Sequence, residues 1–202
     1  MLDHDADPDL SPDNGATPII VACQFGHSDL VSLLLSGGVD PDLKDNNGST
    51  ALIMASQNGY GDAVTALLNN GADLNIHDNN GASALILSAQ EGHNDIVRML
   101  IAKGAIVDDR TANGNTALIL ASLRGHIDIV QQLIDHGATV NMKTNTGATA
   151  LFAAASRGHC QVVNMLLENG ADPSITDSDG KTAFYYTKDF NVKALLTTYS
   201  HR

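Results

Sequence analysis

Glycine recurs along this 202-residue chain at a fixed interval of 33 residues. Three such series run in phase over most of the chain. The first contains Gly15, Gly48, Gly81, Gly114, Gly147 and Gly180, the second Gly26, Gly59, Gly92, Gly125 and Gly158, and the third Gly38, Gly71, Gly104, Gly137 and Gly170. A period of this length predicts a stack of similar small units rather than one globular core.

The segment 115–126, NTALILASLRGH, shows what one unit contains. Its apolar residues follow one another without a polar face, which predicts a short helix over 117–124 that is buried on several sides. A second helix is predicted over 128–136. Glycines of the second and third series follow these helices, where a left-handed residue is favoured. Helices this short are unstable alone in water, so the units are expected to stack into a continuous solenoid.

Two polar positions repeat with the same period. A Ser or Thr follows each turn glycine by two residues, and its hydroxyl is expected to cap the next helix; these residues are Thr17, Thr50, Ser83, Thr116, Thr149 and Thr182. Histidine follows the second glycine series at His27, His93, His126 and His159, with Tyr60 in the second unit. Neighbouring helix layers lie about 8–10 Å apart, whereas zinc ligands lie about 2.1 Å from the metal. We therefore interpret the histidines as partners of backbone groups between helices.

These motifs resemble those of an ankyrin-repeat array: a turn Gly-x-Thr, a Gly-His pair and Leu-Leu-x-x-Gly-Ala at the expected period. The resemblance implies an all-α solenoid of stacked helix-turn-helix units connected by β-turn or hairpin loops. The family usually carries Thr-Pro-Leu-His at the start of the first helix. Here the histidine is replaced, and we expect apolar contact in its place; the replacing residues are Ile20, Ile53, Ile86, Ile119, Phe152 and Tyr185.

The period divides the chain into five full units and two incomplete ends. Units 1 to 5 are expected at 13–45, 46–78, 79–111, 112–144 and 145–177. Residues 178–202 begin as a sixth unit and end in the polar sequence TTYSHR, so we expect a C-terminal capping unit with a polar outer face. Residues 6–15 align with 39–48, and residues 1–12 are therefore expected to be the remnant of a preceding, truncated or degenerate repeat.

The charge of the chain excludes some classes of partner. The formal net charge is −12, which argues against nucleic acid and anionic membranes. Residues 1–97 hold 14 acidic residues and one basic residue, Lys44, whereas residues 98–202 hold nine acidic and ten basic residues. No apolar run approaches the roughly 18 residues of a membrane span, and MLDHDADPDL does not resemble a secretory signal. Two cysteines predict no disulfide framework. We expect a cytoplasmic protein without membrane insertion.

No set of residues predicts a catalytic, cofactor or metal site. His159 precedes Cys160, but adjacent residues of a helix do not face each other. The His-x-Asp pairs, such as His126 and Asp128, lack a nucleophile, and the helix dipole already favours Asp in a first turn. We therefore expect a protein that is not an enzyme and binds no cofactor or metal.

Positions that repeat unchanged serve the scaffold, whereas positions that differ between units are free to serve a partner. Two groups differ most: the turn tips, and the two residues before each glycine of the second series. In ankyrin-like arrays both groups line a concave groove that binds other proteins. The residues predicted to bind a partner are Phe25, Tyr60, Glu91, Asn113, Leu123, Arg124 and Arg157.

The predicted function is protein–protein recognition by a monomer, without catalysis. A partner with a basic segment facing units 1–3 would match the acidic half of the chain, and an acidic or neutral segment would match Arg124 and Arg157. The alternative is that the array is the regulatory or targeting module of a larger enzyme, channel or secreted effector, with the active part N-terminal to it.

Overall fold

The computed structural model describes residues 15–200, which form twelve α-helices and no β-strand. The helices are α1 (Pro18–Gln24), α2 (Ser28–Ser36), α3 (Ala51–Asn58), α4 (Gly61–Asn69), α5 (Ala84–Glu91), α6 (Asn94–Ala102), α7 (Ala117–Arg124), α8 (Ile127–Asp135), α9 (Ala150–Arg157), α10 (Cys160–Glu168), α11 (Ala183–Tyr186) and α12 (Phe190–Ser200). Residues 1–12, predicted to be the remnant of a preceding repeat, lie outside the described range, as do residues 201–202.

The helices form two layers. Odd-numbered helices pack on one another in chain order, even-numbered helices do the same, and each odd-numbered helix packs against the helix that follows it. Helix α7 has the predicted bounds, and α8 begins one residue earlier than predicted, at Ile127. The all-α solenoid of stacked helix-turn-helix units is confirmed.

The core runs the length of the stack and consists mainly of Ala, Val, Leu and Ile side chains. Apolar residues fill the position where the family usually carries histidine, as predicted; Ile20, Ile53, Ile86, Ile119 and Phe152 are at most 5% exposed. Tyr185 is the exception, with 63% of its surface exposed. It lies in the last unit, where no further described helix pair covers it.

Hydrogen bonds between successive turns connect the units along one edge of the stack. Backbone N–H groups donate to carbonyls one unit earlier at 2.8–3.0 Å, in the pairs Asn79 to Asn47, Ala112 to Asn80, Asn145 to Asn113 and Ser178 to Thr146. The side-chain amides of Asn79 and Asn145 also donate to carbonyls of the preceding turn. These bonds hold the turn tips in register, so some tip residues serve the scaffold as well as the surface.

The hydroxyls predicted to cap the odd-numbered helices do so in only two units. Thr50 Oγ1 accepts from the N–H of Ile53, and Thr116 Oγ1 accepts from the N–H of Ile119, both at 3.3 Å. The prediction was wrong for Thr17, Ser83, Thr149 and Thr182, which have the extended backbone of an N-cap but no such bond. At 3.3 Å the two bonds that form are long for an N–H donor, so even these caps are weak.

Replacing one buried serine should stabilise the protein. Ser122 is fully buried, and its Oγ has no partner among the described residues. The corresponding residues in the neighbouring units are Ala89 and Ala155, so alanine fits this position. Because an unpaired buried hydroxyl is costly, we expect Ser122→Ala to raise the free energy of unfolding by about 1 kcal/mol in urea denaturation.

The matched control is Ser88→Ala. Ser88 is equally buried, but its hydroxyl donates to the carbonyl of Leu85 at 3.1 Å. This variant loses a hydrogen bond and should be no more stable than the parent. If Ser122→Ala lowers the stability as Ser88→Ala does, the Ser122 hydroxyl has a partner and the account of this position is wrong.

The capping unit departs from the others after its first helical turn. Helix α11 ends at Tyr186 after four residues, because Thr187 has extended backbone angles of φ −84° and ψ 138°. The next residue, Lys188, follows at a position that is a buried Ser122 or Ala155 in earlier units. Ending the helix there leaves the Lys188 side chain exposed and avoids burying its charge.

The outer face of the capping unit is polar at the end of α12, where Thr197 and Thr198 are exposed, but α11 exposes aromatic rings. Phe184 and Tyr185 are 45% and 63% exposed there. Lysine ammonium groups lie over both rings, Lys193 at 5.5 Å from the centre of Phe184 and Lys181 at 4.0 Å from the centre of Tyr185. The exposed aromatic rings of α11 are therefore partly covered by positively charged lysine side chains.

Candidate protein-binding groove

A cavity of about 540 Å³ lies where unit 4, unit 5 and the capping unit meet. We call it the groove cavity. Turn tips form one side and helices α7, α9 and α11 the other; the lining residues are Asn113, Asn115, Ile119, Leu123, Thr144, Asn145, Thr146, Ala148, Thr149, Phe152, Ala153, Ser156, Asp177, Ser178, Asp179 and Tyr186. Two residues predicted to bind a partner, Asn113 and Leu123, belong to this set.

Small side chains in α9 make room for the groove cavity. Ala153 occupies a position that holds Leu87 in unit 3 and Leu120 in unit 4. Ser156 occupies a position that holds Gln90 in unit 3. Unit 5 thus has two short side chains on the surface where the preceding units have long ones, and the cavity lies over them.

Unit 4 differs from the other units at Leu123, two residues before Gly125, and the position of this side chain in the structure explains the difference. Units 1 to 3 carry glutamine at this position, whereas the half-buried Leu123 side chain forms an apolar wall of the groove cavity. The backbone of Leu123 serves the scaffold, since its carbonyl accepts a hydrogen bond from His159 Nε2 at 3.1 Å. Only the side chain is therefore free to vary.

Aromatic rings continue the helix side of the groove cavity. The rings of Phe152 and Tyr186 lie 5.9 Å apart between centroids, and the Tyr186 hydroxyl donates to Asp177 Oδ2. This bond raises the pKa of Tyr186 to about 12 and, with backbone N–H donors, lowers the pKa of Asp177. The tyrosine therefore stays neutral and the carboxylate charged at physiological pH, which keeps the Tyr186 ring in place beside the cavity.

Basic side chains lie at the end of the helices away from the turn tips. A second cavity of about 430 Å³ is lined by Arg157 and Lys188, and it shares Ser156 and Tyr186 with the groove cavity. Arg124 occupies the same position in α7 that Arg157 occupies in α9. The ion pairs within residues 15–200 are Arg98 with Asp95 and His77 with Asp109, so none of these three cations is paired with a described carboxylate.

Three of the four repeated histidines connect successive units, as predicted, whereas His27 in unit 1 is exposed. The Nε2 atoms of His93, His126 and His159 donate to the carbonyls of Gln57, Gln90 and Leu123 at 2.9, 3.0 and 3.1 Å. Tyr60 takes the same position in unit 2, and its half-buried ring lies over Gly26. The structure thus gives Tyr60 a scaffold role that explains its presence without a partner.

The other residues predicted to bind a partner lie outside the groove cavity. Phe25 is 62% exposed, and Glu91 is also exposed. Both occupy the position of Arg124 and Arg157 in earlier units. Along the stack the five units carry an aromatic, an amide, an acidic and then two basic side chains at this position, and all five are exposed.

Other kinds of site have little support in the part of the chain that the structure describes. No group of three or more His, Cys, Asp or Glu side chains there is placed to hold a metal ion, and no helix there is long and apolar enough to cross a membrane. Cys23 is fully buried at the position that Ser56 and Ala89 occupy in units 2 and 3, and burial raises the pKa of its thiol to about 12. The Cys23 thiol therefore stays protonated.

Sequence reasoning missed the residues that create the groove cavity. Ala153, Ser156, Phe152 and Tyr186 were not among the predicted binding residues. The signal was present, because Ala153 is the smallest residue at its position in the array. The sequence prediction selected mainly large or charged residues, whereas small residues such as Ala153 create a cavity.

Comparison with known proteins agrees with the repeat geometry. Residues 1–78 and 70–144 match the family model for ankyrin repeats in three copies, and residues 133–186 match a second model for ankyrin repeats in many copies. The chain belongs to the ankyrin-repeat family. No curated protein sequence matches this ankyrin-repeat chain.

Among solved structures, this ankyrin-repeat chain is similar to the ankyrin repeat domain of Bcl-3, which is described as a member of the IκB protein family. The two are 28% identical and superpose with a TM-score of 0.83. The match covers 95% of this chain and 86% of the Bcl-3 domain. The similarity therefore extends over nearly the whole array and supports a protein-interaction module.

Proposed function

We propose that this ankyrin-repeat protein recognises a protein partner, without catalysis, through the surface formed by the turn tips and the odd-numbered helices. One observation carries the proposal: residues that depart from the repeat pattern, Leu123 and Ala153, lie together in one apolar cavity. Scaffold requirements do not explain these departures, since units with Gln90 and Leu87 at the same positions form the same helices. An apolar cavity with a few polar groups at its edge is typical of a binding site.

The charge distribution favours a partner of mixed charge. The acidic first half of the chain would attract a basic segment over units 1–3. The unpaired side chains of Arg124 and Arg157 would attract an acidic or neutral segment over units 4 and 5. We propose a monomer in the cytoplasm as the binding form.

A double variant in α7 tests the proposal. Leu123→Gln with Arg124→Asn installs the residues that unit 2 carries, Gln57 and Asn58, so the fold should tolerate both changes. Proteins captured by the parent array would be purified and titrated against both forms. We expect the double variant to bind the partner at least about 30-fold more weakly, since loss of a hot spot costs about 2 kcal/mol or more.

The control is Gln161→Ala on the exposed side of α10, which should leave the affinity unchanged. Equal affinity of the parent and the double variant for every captured protein would contradict the proposal. Titrations at low and high salt test the charge preference, because salt screens exposed charges. Affinity that does not fall with salt would exclude the basic segment.

A further inference from the structure

The groove cavity has the size and lining for one large apolar side chain together with part of the backbone that carries it. Its volume of about 540 Å³ lies within the range of small-ligand sites. Ile119 and Phe152 are only 4% and 5% exposed, and with Leu123 and Tyr186 they make the side of the cavity nearest the helices apolar. Burial of a Leu or Phe side chain in such a place contributes about 1.5–3 kcal/mol.

The turn tips on the other side of the cavity supply polar groups. The backbone groups of Asn113 and Thr146 are already engaged in the bonds that hold the tips in register. Asp177 is likewise occupied, because its oxygens accept from Tyr186 and from the N–H groups of Asp179 and Lys181. The tips therefore form a pre-ordered edge, and the apolar wall is the part of the cavity that gains most from a partner.

The charges at the helix end of the cavity are positive, whereas Asp177 and Asp179 lie among the turn tips on its other side. Arg157 and Lys188 line the adjoining cavity, which shares Ser156 and Tyr186 with the groove cavity. Asp189 lines it too, but its Oδ1 accepts from the N–H groups of Asn191 and Val192 at the start of α12. Neither Arg157 nor Lys188 forms an ion pair with a described carboxylate, so a partner carboxylate would meet two cations that are free to donate to it.

We propose that the groove cavity binds a peptide segment of the partner that inserts one large apolar side chain beside Ala153 and places a neighbouring acidic side chain at Arg157 and Lys188. The inference rests on the proposed function and names the chemistry of the segment that this part of the groove selects. It also explains why α9 combines small side chains, at Ala153 and Ser156, with a basic residue at its end.

A library of random peptides, selected on the full chain, tests the inference. Selected peptides should share one Leu, Ile, Phe or Met with an Asp or Glu a few residues away. Ala153→Leu then fills the cavity with the residue that units 3 and 4 carry at this position, and Ser156→Gln does the same with the residue of unit 3. Each variant should weaken binding of a selected peptide about tenfold or more in fluorescence anisotropy.

The contact between the peptide's acidic side chain and the two cations is tested by a double-mutant cycle with changes in both the protein and the peptide. Arg157→Asn with Lys188→Ala should weaken an acidic peptide about tenfold and should leave the matching Glu→Gln or Asp→Asn peptide unchanged. Two variants fill the cavity, so misfolding of one, detected by circular dichroism, leaves the other as the test. Selected peptides without the shared apolar and acidic residues, or full affinity in both filled variants, would overturn the inference.

The outcomes distinguish this inference from the proposed function. If peptides and partners lose affinity in the Leu123→Gln/Arg124→Asn variant but not in Ala153→Leu or Ser156→Gln, the groove binds proteins and the inference about the cavity is wrong. If none of these variants affects any peptide or partner, both are wrong.

Discussion

Gly125→Ala is expected to lower the free energy of unfolding by about 3 kcal/mol, whereas Gly158→Ala should lower it by only about 1–2 kcal/mol. Both glycines have left-handed backbones, with φ values of +78° and +75°, so alanine is strained at either position. They differ in what a new Cβ would meet. At Gly125 it would lie 2.7 Å from His159 Nδ1, whereas at Gly158 the nearest atom is Asp189 Cβ at 3.6 Å.

The difference between the two variants measures the contact between successive units. The Cβ at residue 125 would displace the His159 ring and break its bond to the Leu123 carbonyl, which adds to the backbone strain. At Gly158 only the strain remains, because the capping unit has no histidine there. Urea denaturation of both variants measures the two losses in the free energy of unfolding. Equal losses of stability would mean that the histidine contact contributes nothing.

Val130→Lys is expected to cost about 4 kcal/mol or more, enough to separate the stack at this point. Val130 is fully buried in α8, and the corresponding residues Val97 and Val163 are also fully buried. A lysine ammonium group placed there would lose its hydration without a carboxylate to pair with. We expect early and incomplete unfolding transitions in urea, because the units on either side of α8 no longer support each other.

The chain contains its own control for this substitution. The residue that corresponds to Val130 and Val163 by the 33-residue period is the buried Leu196, whereas Lys193 in the same helix, α12, is only half-buried on the end face of the stack. Lys193→Val should therefore change the stability little. A Val130→Lys protein that unfolds at the same urea concentration as the parent would contradict the view that stacking of neighbouring units stabilises the fold.

Sequence periodicity predicted the parts of the structure that depend on local backbone chemistry. The left-handed glycines, the bounds of α7 and the backbone bonds of His93, His126 and His159 follow from which residue types a short helix and its ends accept. Each of these features recurs in several units, so residues that the fold requires can be distinguished from residues that vary between units. The scaffold was predictable for that reason.

Features that depend on distances between several units were not predictable in the same way. The hydroxyl caps form only for Thr50 and Thr116, at a long 3.3 Å, although all six units carry Ser or Thr at this position. The exposed Phe184 and Tyr185 follow from where α11 ends. The groove cavity requires Leu123, Ala153 and Tyr186 to meet across three units, and sequence spacing alone does not give the volume left between them.

Amide hydrogen exchange of the full chain, with and without a selected peptide, tests the central claim most directly. We expect binding to slow exchange at the ends of α7 and α9, around Leu123 and Ser156, and at α11. The outer hollow lined by Gln161, Asn164 and Thr198 should be unaffected. Protection confined to that outer hollow, with none in α7 or α9, would contradict the claim that the positions where the repeats differ form the binding surface.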